Sequence, residues 1–135
     1  MKKLLLILTL ALFAGFAAKA QDDDNDKIRD KMREFIQRRL NLSKNEAERF
    51  TPVFIRYFRE WKQTLHENRL DGLVRQQKII ELRLRYRTEF RDIVGEKRSN
   101  DVYKQQDIFI REIKEMREEQ IRARRVERPN TNKPF

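Results

Sequence analysis

The chain has 135 residues, 40% of them charged, and a formal charge of +10 at pH 7. It has no cysteine and one histidine, His66, which excludes disulfides, zinc-thiolate centres and Cys-His nucleophiles, and no Ser-His-Asp set is read around that single histidine. A chain of this length makes one domain, and without disulfides that domain must be held by its core or by association with another copy.

Lys2 and Lys3 precede an apolar run from Leu4 to Ala18, and Ala18-Lys19-Ala20 forms a small-x-small site followed by Gln21 and the acidic residues Asp22, Asp23, Asp24 and Asp26. This is the order of a cleavable signal peptide over residues 1–20. The run is shorter than the ~20 residues of a membrane span, and no cysteine follows it to carry a lipid. The mature chain is therefore expected to start near Gln21 and to work in the periplasm, with no stable membrane insertion after cleavage. Loss of Lys2, Lys3 and Lys19 takes the charge from +10 to +7. On an exported protein that charge points to anionic lipid, acidic polypeptide or envelope polyanions and away from nucleic acid.

From Asp26 to Arg125 the apolar residues recur with a helical period, and no alternating run predicts a strand. A first helix is expected over Lys27–Leu40, capped by Asp24, Asn25 or Asp26, with Ile28, Met32, Phe35, Ile36 and Leu40 on one face. Asn41-Leu42 is a tight connection. Ser43-Lys44-Asn45-Glu46 is a capping box that opens a second helix, whose buried face should carry Ala47, Phe50, Phe54, Tyr57, Phe58, Trp61 and Leu65. Pro52 is expected to kink or divide it. After a turn at His66–Gly72, a third helix over Gly72–Val94 carries apolar residues on more than one stripe, as in a helix that touches both its own core and a second subunit. Gly95–Asn100 is the next break, with Ser99 or Asn100 as cap. A fourth helix follows over Asp101–Ile121, with Val102, Tyr103, Phe109, Ile110, Ile113 and Met116 as its stripe. The basic segment 122–135 is expected to be a disordered tail. The predicted fold is all-α, with a domain over 21–121 of four helices in two helical hairpins.

Leu42-Ser43-Lys44-Asn45-Glu46-Ala47, followed by Phe50 and Pro52, resembles the L-[ST]-x-x-[QE] motif of the small Spy/CpxP-like envelope proteins, with Leu42, Ser43 and Glu46 at the motif positions. The resemblance spans roughly Lys27 to Ile121 and includes the order of signal peptide, amphipathic first helix, motif and long charged helices. The later turn, Val94-Gly95-Glu96-Lys97-Arg98-Ser99, does not repeat the motif. The resemblance implies a cradle-like antiparallel homodimer that works as an ATP-independent periplasmic chaperone or as an accessory regulator of envelope-stress signalling. Some relatives are described as heavy-metal sensors or as sensors tied to ECF sigma factors. This chain lacks the ligands of the metal-binding members.

Arg83, Arg87 and Arg91 lie at i, i+4 spacing on the third helix, with Arg85 on another face. Like charges at that spacing cost a few tenths of a kcal/mol per pair, so the ladder calls for an anionic partner. Glu112, Glu115, Glu118 and Glu119 of the fourth helix are one choice, and an acidic or unfolded client is the other. Tyr57 and Trp61 are candidate aromatic partners, from a series that otherwise reads as core. The acidic cluster after the signal peptide lacks the glycine turn and distal glutamate of a calcium loop, and one imidazole does not make a metal site. There is no phosphate-binding loop, and the carboxylates are spread evenly over helix faces. No enzyme activity, cofactor or metal is expected. The expected function is a holdase for unfolded or acidic envelope proteins, using Arg83, Arg87, Arg91, Tyr57 and Trp61. The alternative is a regulator that binds the exported domain of a membrane stress sensor and damps an ECF sigma factor or two-component pathway.

Overall fold

The computed structural model describes residues 24–128, which form four α-helices and no strand. The segment 1–20 expected to be a signal peptide, the expected mature start at Gln21 and the last part of the tail, 129–135, lie outside the described residues. α1 covers residues 24–39. α2 is Lys44–Glu67, α3 is Gly72–Val94 and α4 is Glu96–Glu127.

The connections follow from local chemistry. Asn41 ends α1 in the left-handed region, at φ 52°. Its amide donates to the Arg38 carbonyl at 3.1 Å and the Leu42 amide donates to the Gln37 carbonyl at 3.1 Å. This is a Schellman closure with asparagine in the place usually held by glycine. Ser43 then caps α2: its hydroxyl accepts from the Glu46 amide, and the Glu46 carboxylate accepts from the Ser43 amide. Asp71 caps α3 by accepting from the Leu73 and Val74 amides.

Of the two outcomes expected at Pro52, kink or division, division does not occur, and two helix ends differ from expectation. α2 runs through Pro52 without division. Pro52 and Glu48, whose carbonyl loses its usual donor there, are both exposed, so water can replace that hydrogen bond. The break after α3 is one residue, Gly95, at φ 87° and ψ 165°, a region that only glycine enters freely. Ser99 is therefore not a cap. It lies buried inside α4, its hydroxyl donating to the Glu96 carbonyl at 2.6 Å. Finally, α4 continues to Glu127, so residues 122–127 are helical rather than disordered. Apart from Val126 the segment is made of strong helix formers, Arg122 pairs with Glu118, and the helix stops where Pro129 forces Arg128 into extended backbone.

α3 packs against both α2 and α4. α1 lies on α2 through Arg33 and Gln37, which donate to the Thr51 hydroxyl at 3.2 and 3.3 Å. It meets α4 through Phe35 and Phe109, whose rings are 5.4 Å apart. The core is strongly aromatic. Tyr57 stands at its centre, with the rings of Phe54, Tyr86, Phe90 and Tyr103 all within 6.0 Å. Met32, Ile36, Phe50, Leu82 and Val102 complete it, each exposed by no more than 1%. Burying a side chain of this size contributes about 1.5–3 kcal/mol, so one end of the helices carries most of the stability. The other end is different in character. Leu73, Ile80 and Leu84 on α3, and Met116, Ile121 and Val126 on α4, are large apolar side chains left exposed. α4 has 32 residues and α3 has 23. Counted from their shared glycine, α4 outruns α3 by roughly 14 Å at 1.5 Å per residue.

Candidate functional site

The three arginines of the ladder have different fates. Arg83 points inward. Its guanidinium donates to Asp107 at 2.6 and 3.2 Å, to the Gln106 side-chain oxygen at 3.0 Å and to the Tyr57 hydroxyl at 3.3 Å. It also lies 5.2 Å over the Tyr103 ring, whose hydroxyl donates to the Arg83 carbonyl at 2.7 Å. Burial works against its charge, but Asp107 and Tyr57 together hold the guanidinium above its ordinary pKa. Its acidic partner on α4 is thus Asp107, not one of the four glutamates proposed from the sequence.

Tyr57 belongs to the same cluster. It is fully buried, and its hydroxyl donates to Gln106 at 2.5 Å. Burial pushes its phenol pKa up, against the pull of Arg83. Tyr57 therefore has no surface to offer a client, and Arg83 has little; both fasten α2, α3 and α4 together. Gln106 accepts from Tyr57 and Arg83 through one oxygen, while its buried amide nitrogen has no partner among the described residues. No sequence signal marked Gln106 as internal.

Arg87 and Arg91 are exposed. They continue a stripe of exposed residues along the outer face of α3: Leu73, Gln77, Ile80, Leu84, Arg87, Arg91. The spacing alternates between four and three, so at 3.6 residues per turn all six side chains share one face. The core residues of the same helix, Leu82, Tyr86, Phe90 and Val94, are centred about 120° round the helix from this stripe, so the stripe flanks the core and Arg87 stands nearly in line with buried Val94. Leu73, Ile80 and Leu84 are 81%, 58% and 51% exposed. The second stripe expected on this helix is exposed in the single chain: aliphatic toward its start, cationic toward its end. In the sequence Leu73, Ile80 and Leu84 show as part of the apolar period of α3, and nothing there separates them from core residues.

Trp61 sits half-buried against Phe58 on a different face, where α1, α2 and α4 leave an apolar groove. Leu42, Ser43 and Glu46 are at the opposite end of α2. Leu42 packs on the core. Glu46 closes the capping box and also takes a two-pronged ion pair from Arg98 of α4. Arg98 reaches the Leu40 and Val94 carbonyls as well, so the motif ties the α1–α2 turn to the first turn of α4. The Ser43 amide, then Arg98, holds the Glu46 carboxyl below its ordinary pKa of 4.5. The role of Arg98 was hidden because 95–100 reads as a break in the sequence.

Among the described residues, no three His, Asp or Glu side chains converge on a possible metal position, and no helix is long and apolar enough to cross a membrane. Compared with known proteins, the chain matches no family model, no curated protein and no solved structure.

Proposed function

We propose that this is an exported, ATP-independent holdase-type chaperone that binds unfolded or acidic envelope proteins in the periplasm. The observation that supports this reading best is the outward stripe of α3. It combines two cations that have no ion-pair partner among the described residues with three exposed aliphatic side chains, on a helix whose adjoining face is anchored in an aromatic core. Charge draws in an acidic chain over long range. The adjacent aliphatic patch then supplies weak, non-directional contact that many unfolded sequences can satisfy. The proposed client contacts are Arg87 and Arg91 with Leu84, Ile80 and Leu73. Arg83 and Tyr57 support the helix from beneath.

The working form of this reading is a homodimer of two-hairpin subunits, cradle-like and antiparallel as the Spy/CpxP resemblance implies. The protein needs no cofactor and performs no chemistry on its client. Its test is the double variant Arg87→Glu, Arg91→Glu. Both side chains are exposed, so the fold should keep its melting temperature while suppression of aggregation of an acidic client falls several-fold. Unchanged suppression would remove these arginines from the client surface. Saturable binding to one membrane sensor's exported domain, without general suppression, would favour the regulator instead.

A further inference from the structure

The apolar groove beside Trp61 has a composition the client surface does not explain. Phe58, Trp61, Phe109 and Ile113 line it, and it is a half-open groove of about 240 Å³. That is the room of roughly eight water molecules, enough for a medium-length alkyl chain. Its polar lining is cationic throughout: Lys62 of α2, and Lys114 and Arg117 of α4. No acidic side chain lines it, and none of these three cations has an ion-pair partner among the described residues. Three other cations are paired across helices, Arg56 with Glu89, Arg83 with Asp107 and Arg98 with Glu46, so what sets the groove apart is three cations around an apolar lining with no acidic side chain among them. An apolar slot ringed by three cations complements one kind of molecule, an aliphatic chain that ends in an anion.

We propose that this groove is a binding site for a single-chain anionic amphiphile of the fatty-carboxylate class. The alkyl chain lies along Phe58, Phe109 and Ile113, and the carboxylate is held at the mouth by Lys62, Lys114 and Arg117. The site is separate from the outer stripe of α3 and does not depend on chaperone activity.

Trp61 is the only tryptophan in the chain and lines the groove, so its emission reports occupancy directly. The purified protein would be titrated with decanoate, decyltrimethylammonium and decyl maltoside, each below its micelle concentration. The expected result is saturable binding of one decanoate with a blue shift of Trp61 emission, at least tenfold tighter than the cationic amphiphile. Shortening the ligand to octanoate should weaken binding roughly tenfold, the effect of two methylenes. Lys62→Glu with Lys114→Glu and Arg117→Glu should reverse the charge preference, and a circular dichroism melt verifies that this variant is folded. Should the triple variant unfold, the single variant Lys114→Glu must still weaken decanoate at least threefold. Equal affinity for all three head groups, or no saturable change, would overturn the proposal. Response only to anionic vesicles, with none to monomeric decanoate, would assign the cations to a membrane surface and overturn it too.

Discussion

At the residue scale, charged and phenolic groups that the sequence offered as surface are divided by the fold into fasteners and contacts. Glu46 is a fastener. Its carboxyl pKa is depressed, first by the Ser43 amide and then by Arg98. A carboxylate depressed in the fold adds stability that is fully present above its unfolded value and is lost as pH falls through the folded one. Stability should therefore decline on acidification below about pH 4.5. Glu46→Gln should flatten that decline in urea melts taken at several acidic pH values; an identical slope in both proteins would contradict the clamp. The tyrosines give the opposite edge. Burial raises Tyr57 and Tyr103, and raises Tyr86, with help from Glu60, to about 12. A phenol whose pKa is raised in the fold contributes fully below its ordinary value of 10.0 and loses that contribution as pH climbs above it. The chain has only three tyrosines. The folded protein should accordingly develop phenolate absorbance at higher pH than the urea-unfolded chain. Coincident titration curves would mean that these rings are open to water. Tyr57 falls on the expected buried face of α2, yet as a candidate client contact it is overturned by its complete burial. That its hydroxyl would find Gln106 and Arg83 was not legible, because those partners lie on two other helices and only tertiary packing brings them together.

At the element scale, helix identity was legible and helix ends were less so. The amphipathic periods of α1 to α4 are visible in the sequence, as are the capping box at Ser43 and the start of α3 at Gly72. The ends failed where a local breaker met tertiary support. Pro52 suggests an interruption, yet Phe50, Val53 and Phe54 on either side of it are buried and hold the helix together across it. Gly95 suggests the start of a loop, but one glycine at positive φ is enough to reverse the chain when Val94 and Ser99 are both buried beside it. A Cβ on Gly95 would meet nothing within 4 Å, so the demand there is purely conformational. Gly95→Ala should destabilise the protein by about 1–3 kcal/mol, measurable by chemical denaturation with an unchanged m-value. A neutral substitution would show that the α3–α4 reversal tolerates another backbone path.

At the scale of the whole molecule, the architecture separates stability from contact. One end holds the aromatic core and its ion pairs. Along α3 the outward stripe runs from the edge of that core to the exposed apolar end, where α4 projects beyond its neighbour. The even mixture of charges in the sequence conceals this division, since Arg83 and Arg87 differ by one helical turn and look alike until the fold buries one of them. The same mixture conceals the cationic groove, whose residues come from separate helices. The all-α class, the four helices and the two-sided third helix could be read before the structure. Which arginine remains available could not.

The central claim is that the outer stripe of α3 holds unfolded chains without energy input. The most direct measurement is light scattering from two unrelated denatured proteins, one acidic and one basic, diluted into buffer without ATP beside near-stoichiometric amounts of the purified protein. Both aggregation curves should be suppressed, more strongly for the acidic client and less so in salt, as exposed charges are screened. Aggregation of both clients at the rate seen without the protein would contradict it.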